Sequence, residues 1–129
     1  MADTAVTNVA MAANDVTDIG LALGTAIVAA NTHVITPTGP LEEMTIIVRN
    51  TEGSTNAVTV LAGAARPAHS AGLGSKAFTT IAATNGTVIL PPLESARFLQ
   101  ANGTVRINVE AGMTGYIVAM QRPAVKSGT

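Results

Sequence analysis

The sequence contains no cysteine and no tryptophan, and its only aromatic residues are Phe78, Phe98 and Tyr116. Without thiols there is no disulfide framework, no thiol nucleophile and no cysteine-based zinc site. Charge is scarce as well. Asp, Glu, Lys and Arg make up 12% of the chain and the net charge is −1, about half the charged share of an ordinary globular domain. No basic cluster is present to neutralise phosphates, which argues against nucleic acid as a partner. No apolar run reaches the ~18 residues of a membrane span. The opening MADTAVTNVA lacks the positive segment of a secretory signal. A chain with neither a membrane span nor a secretory route is expected.

What remains is dominated by alanine, threonine and valine, a composition that suits strands with smooth faces. With little charge to hold copies apart, a homo-oligomer is the expected state. A length of 129 residues suits one domain with its own core.

Asn-Gly-Thr occurs twice, at Asn85 and Asn102. It is a glycan acceptor in a secreted protein, or the turn of a β-hairpin. Without a secretory route the turn reading prevails. A two-residue turn at Asn102-Gly103 pairs Phe98 with Ile107 and Ala96 with Val109 on one face. It leaves Arg97, Leu99, Arg106 and Asn108 on the other, the alternation of a half-buried antiparallel pair. A turn at Asn85-Gly86 likewise pairs Ile81 with Leu90 and Ala83 with Val88. Strands are predicted over 26–30, 33–36, 44–49, 57–61, 78–82, 87–90, 95–100, 104–110 and 115–122, separated by turn-rich connectors such as Pro37-Thr38-Gly39-Pro40 and Pro91-Pro92. That spacing predicts an all-β, single-domain antiparallel β-sandwich, jelly-roll-like, over 25–123. An extended N-terminal arm (1–24) precedes it and a tail (124–129) follows.

The arm scatters Val6, Val9, Met11, Val16, Ile19, Leu21 and Leu23 among small residues. Burying those side chains yields at most roughly 10–20 kcal/mol, whereas ordering some twenty backbones costs roughly 20–40 kcal/mol. The arm therefore orders only against a surface already built, its own or a neighbour's. The loop over 63–76 is long enough to imply contact with something, and it brings Arg66, His69 and Lys76.

Chemical motifs are thin. Gly72-Leu73-Gly74-Ser75-Lys76-Ala77 matches a dinucleotide fingerprint in letters, but not in its strand-before, helix-after context. His69-Ser70 has no orienting third group, and His33 and His69 lack metal-ligand spacing. Glu42 and Glu43, if on a strand, face opposite ways. No enzyme activity, cofactor or metal is expected. Arg97 and Arg106 share the outer hairpin face, as a solvated patch near Glu110 or as an ionic contact for an acidic partner.

Four stretches, GTAIVAANTHVITPTGPLEEMTIIVRNTEG (24–53), VTVLAGAARPAHSAGLG (58–74), LPPLESARFLQANGTVRI (90–107) and GYIVAMQRP (115–123), resemble the capsid decoration (cement, or auxiliary head) proteins of tailed bacteriophages. The resemblance implies a β-sandwich or related barrel on the outside of an icosahedral shell. It implies the major capsid protein as partner, trimers of the protein itself at local threefold positions, and clamping of neighbouring capsomers. The implied location is the virion surface, with the host cytoplasm during assembly. It carries over no catalytic motif. Partner contacts are expected from the arm residues Val6, Val9, Met11, Val16, Ile19, Leu21 and Leu23, and from Arg66, His69, Lys76, Arg97 and Arg106. The alternative is a receptor- or carbohydrate-binding β-sandwich of a virion or fibre, against which the shortage of aromatic platforms counts.

Overall fold

A computed structural model describes residues 2–11, 24–63 and 73–122. Two seven-residue strands form its centre, β5 (Met44–Asn50) and β10 (Gly115–Gln121). In both, every second residue is buried: Met44, Ile46, Val48 and Asn50 on one, Gly115, Ile117, Ala119 and Gln121 on the other. This period of two is what a sheet with one covered face requires. They pair antiparallel over their full length, from Gly115 opposite Asn50 to Gln121 opposite Met44.

The other strands are β1 (Asp3–Val6), β2 (Asn8–Ala10), β3 (Thr25–Ala26), β4 (Thr32–Ile35), β6 (Asn56–Val60), β7 (Lys76–Ile81), β8 (Gly86–Ile89) and β9 (Val105–Val109). One sheet runs β1-β4-β9-β6-β7; the other runs β2-β10-β5-β8, with β3 also paired to β10. The fold is all-β with almost no helix. Ile35, Val58, Val60, Val105 and Ile107 of the first sheet share one apolar cluster with Ile46, Val48, Ile117 and Ala119 of the second. Leu41, Leu90, Leu93, Phe98 and Met113 complete it from the connections.

The sheets are mixed, not purely antiparallel. β1 lies parallel to β4 and β2 lies parallel to β10. Between them the chain passes from one sheet to the other at Thr7, so the N-terminal segment is a strap across one margin. Its Val6 is buried in the core, and Arg106 holds its start through a bidentate pair with Asp3, 2.8 Å at the shorter contact. The segment over 3–10 is thus extended and docks on the chain's own sheets. Backbone pairing continues to Met11, whose N–H donates to the Gln121 carbonyl at 2.9 Å.

Three sequence expectations fail, each for a reason visible in the structure. The strand expected over 95–100 is a single helical turn, α1 (Ser95–Phe98). The Glu42 carboxylate accepts from the Ser95 N–H at 2.9 Å and its hydroxyl at 2.8 Å, which fixes that turn, and Phe98 points into the core. The strand expected over 26–30 ends at Ala26, and the Val28 N–H donates to His33 Nε2 at 3.0 Å instead of to a ladder. Finally, β7 and β8 do not form a hairpin. β7 pairs with β6 and β8 with β5, so the turn at Asn85 carries the chain between sheets. The positive φ values there fall on Thr84 and Asn85, not on Asn85 and Gly86.

The second Asn-Gly does turn the chain, in another geometry. The Gly103 N–H donates to the Gln100 carbonyl and the Gln100 N–H to the Thr104 carbonyl, at 2.9 and 2.8 Å. Gly103 alone is left-handed, with φ 80°, as in a type I turn closed by a glycine bulge. The two glycines therefore differ. A Cβ on Gly86 would overlap the Ala82 carbonyl oxygen, whereas at Gly103 the space is open. Gly103→Ala should cost about 1–2 kcal/mol, the left-handed penalty alone. Gly86→Ala, which forces backbone apart, should lower the melting temperature at least twice as far in thermal denaturation.

Candidate interaction surface

The outer faces of the two sheets differ, the first being richer in polar groups and the second richer in large apolar ones. On the first sheet, Arg106, Asn108, Thr32 and Thr59 face outward with Asp3, Ala5 and Val34, and four of the polar groups pair with one another. Arg106 pairs with Asp3, and the Thr32 hydroxyl donates to Asn108 Oδ1 at 2.8 Å. On the second sheet, registers place Ile89, Ile47 and Val118 in one row across β8, β5 and β10. Met120 with Val9 and Thr45, and Tyr116 with Ala26, Arg49 and Thr87, flank that row. All face away from the core, and Ile89 is 67% exposed. Arg49 is the one charged residue in these rows. Its Nε is buried and has no acceptor among the described residues. A buried donor left alone costs roughly 1–3 kcal/mol, so the face holds an unmet demand for an acceptor.

A furrow of about 280 Å³ borders this face between β7 and β8, lined by Phe78, Ile81, Val88 and Leu90. It continues past Lys76 toward Pro91, Pro92, Glu94 and α1.

The residues expected to bind a partner are dispersed. Val6 is core, Val9 belongs to the apolar face, and Met11 is half-buried at the end of the strap. Arg97 and Arg106 do not share a face. Arg97 lies on α1, where its Nε donates to the Gly74 carbonyl at 2.9 Å and its guanidinium stacks 4.9 Å from the Phe98 ring centroid. Arg106 lies on β9 and serves the strap. Glu110 is engaged elsewhere, accepting from the Ala57 N–H at 2.8 Å. Lys76 is exposed at the head of β7, its Nζ 6.0 Å from the Phe78 ring centroid. Val16, Ile19, Leu21, Leu23, Arg66 and His69 lie outside the described residues.

The sequence reading missed Ile47, Tyr116, Val118 and Met120 as a surface. The signal was present in β10, where the alternate set Tyr116, Val118 and Met120 is also apolar, so that strand carries apolar residues on both faces; in β5 only Ile47 of the alternate set is apolar, beside Thr45 and Arg49. Among the described residues no group of three or more His, Asp or Glu side chains is placed to hold a metal ion. Comparison with protein-family models, with curated proteins and with solved structures gives no match.

His33 is fully buried, and its Nε2 accepts the Val28 N–H, so the ring is neutral with its proton on Nδ1. Burial holds its pKa below the ordinary histidine value, partly countered by the Ile107 backbone. The unfolded chain then takes up a proton before the folded one does. The stability is complete above the unfolded pKa of about 6.5 and is lost as pH falls through the lower, folded value. Melting temperatures measured from pH 7.5 down to pH 5 should fall, and His33→Gln should flatten that slope relative to its own value at pH 7.5.

Proposed function

We propose that the protein binds the outer surface of an icosahedral phage shell and stabilises contacts between subunits of the major capsid protein. In this reading the two sheets pack as a jelly-roll-like β-sandwich and the protein is a structural component of the virion, not an enzyme. The observation that carries it is the asymmetry of the faces. A sheet that shows water Val9, Ile47, Ile89, Tyr116, Val118 and Met120 around Arg49, whose Nε has no acceptor among the described residues, is suited to being covered. A face whose polar groups pair with one another is suited to solvent. The resemblance of four stretches to decoration proteins names the partner.

The mechanism follows from linkage. A protein that binds only the assembled lattice shifts assembly toward the intact shell by its binding free energy, and repeated copies multiply the shift. Apolar area supplies the affinity, and a shell carboxylate against Arg49 supplies register.

Sedimentation with shells assembled without this protein tests the reading. Wild type should co-sediment. Val118→Lys, a charge at the centre of the apolar face, should weaken binding at least about tenfold, since an unpaired buried charge costs more than the ~1.4 kcal/mol of a tenfold change. Thr59→Lys on the polar face should bind as wild type. Full-strength binding by Val118→Lys, or no binding by wild type, would contradict the proposal.

A further inference from the structure

The four sheet margins are not equally protected. β1 carries Asp3 in its pair with Arg106, β2 is three residues long, and β7 opens on Lys76 and has an irregular register near Asn56. Charges, shortness and irregularity are the devices that keep strand edges from pairing with other chains. β8 has none of them. Its residues are Gly86, Thr87, Val88 and Ile89, without charge, proline or bulge, and among the described residues it pairs only with β5. The prolines come just beyond it, at Pro91 and Pro92.

Which groups β8 offers can be deduced. The Leu90 N–H donates to the Ile46 carbonyl at 2.8 Å. In the register that sets Val88 opposite Val48 and Ile89 opposite Ile47, Leu90 and Val88 therefore face β5. In an antiparallel ladder alternate residues exchange both bonds. The N–H and C=O of Thr87 and Ile89 consequently point to the open margin.

We propose that this margin pairs with the same margin of a second copy of the chain, antiparallel, about a twofold axis at Val88. The offered groups are self-complementary in that arrangement. Thr87 meets Ile89 of the partner subunit and Ile89 meets Thr87 of the partner subunit, two hydrogen-bonded pairs. Val88 meets its counterpart between them in a non-hydrogen-bonded pair, where Cα atoms approach to about 4.5 Å. The strand carries no charge, so like meets like without repulsion. The furrow lined by Phe78, Ile81 and Val88 lies on the same margin to receive apolar side chains. A strand of four residues buries less than the roughly 1,200 Å² of a standard interface, so the pair dissociates on dilution. The inference concerns the protein alone and stands or falls separately from the shell reading. A trimer built through another surface would leave it intact.

Since the sequence has no cysteine, a single introduced thiol reports only on its own position. Val88→Cys should form a disulfide-linked dimer on mild oxidation at high protein concentration, because Cα atoms at about 4.5 Å fall within bridging range. Ile89→Cys exposes its thiol more, yet the two thiols would sit diagonally, beyond the ~7 Å Cα limit. It should crosslink at least about tenfold more slowly. Adding Ile89→Lys to Val88→Cys should abolish the crosslink while leaving the melting temperature in place, since Ile89 is 67% exposed. Faster crosslinking by Ile89→Cys overturns the proposal. So does no crosslinking by a folded Val88→Cys protein, which would leave the margin to a foreign strand.

Discussion

The arrangement of this molecule depends on the side-chain amide of Asn50. It is fully buried at the end of β5, and its Nδ2 faces the carbonyls of Ser54, Ile81 and Ala82 at 2.8, 3.2 and 3.2 Å. Its Oδ1 accepts from the Glu52 N–H and from Asn56 Nδ2, at 3.0 and 3.2 Å. One side chain thus ties the turn after β5 to the segment that leaves β7. That segment must then cross to the other sheet: the Thr84 N–H reaches the Glu52 carbonyl and the Asn85 N–H reaches the Asn50 carbonyl. At the far end of the β5–β10 pair, Gln121 acts similarly, donating to the Pro40 carbonyl at 2.9 Å and receiving the Thr38 N–H at 3.3 Å. In a core of mostly aliphatic side chains, packing alone specifies connections loosely. Buried amides specify them sharply, because each lost partner costs roughly 1–3 kcal/mol.

The crossing held by Asn50 decides what the surface offers. Had β7 and β8 formed a hairpin, each would have protected the other's margin. Because the chain crosses instead, β7 and β8 end different sheets, a furrow opens between them, and among the described residues β8 has a neighbour on one side only. On the opposite side the N-terminal strap closes both sheets with parallel strands. Among the described residues the fold is therefore closed along one side and open along the other, and its second sheet turns a largely apolar face outward. Each of these features suits contact with other chains; the proposed function draws on the apolar face and the self-pairing on the β8 margin, with Ile89 common to both.

Much of the β architecture was legible because strong period-two segments mark themselves. Met44–Asn50, Asn56–Val60 and Gly115–Gln121 fall close to their expected places. The pairing was not legible. Asn85-Gly86 reads locally as a hairpin turn, and only Asn50, distant in sequence, redirects it. Ser95–Phe98 alternates like a strand, but the Glu42 carboxylate turns it into a helix from across the chain. The strap was legible in its need for a built surface and not in which surface it finds. The outward apolar row was hidden because an apolar residue in a strand reads first as core. Its visible marker was β10, where Tyr116, Val118 and Met120 alternate with the buried Ile117 and Ala119.

Amide hydrogen exchange in Asn50→Ala, read at Thr84 and Asn85 against Val48 and Ile117, tests most directly whether a buried amide governs the crossing. Protection at Thr84 and Asn85 should fall by about tenfold or more, the equivalent of roughly 1.4 kcal/mol of local opening, while Val48 and Ile117 keep most of theirs. Unchanged protection at Thr84 and Asn85 would contradict the account, and so would an equal loss at all four positions.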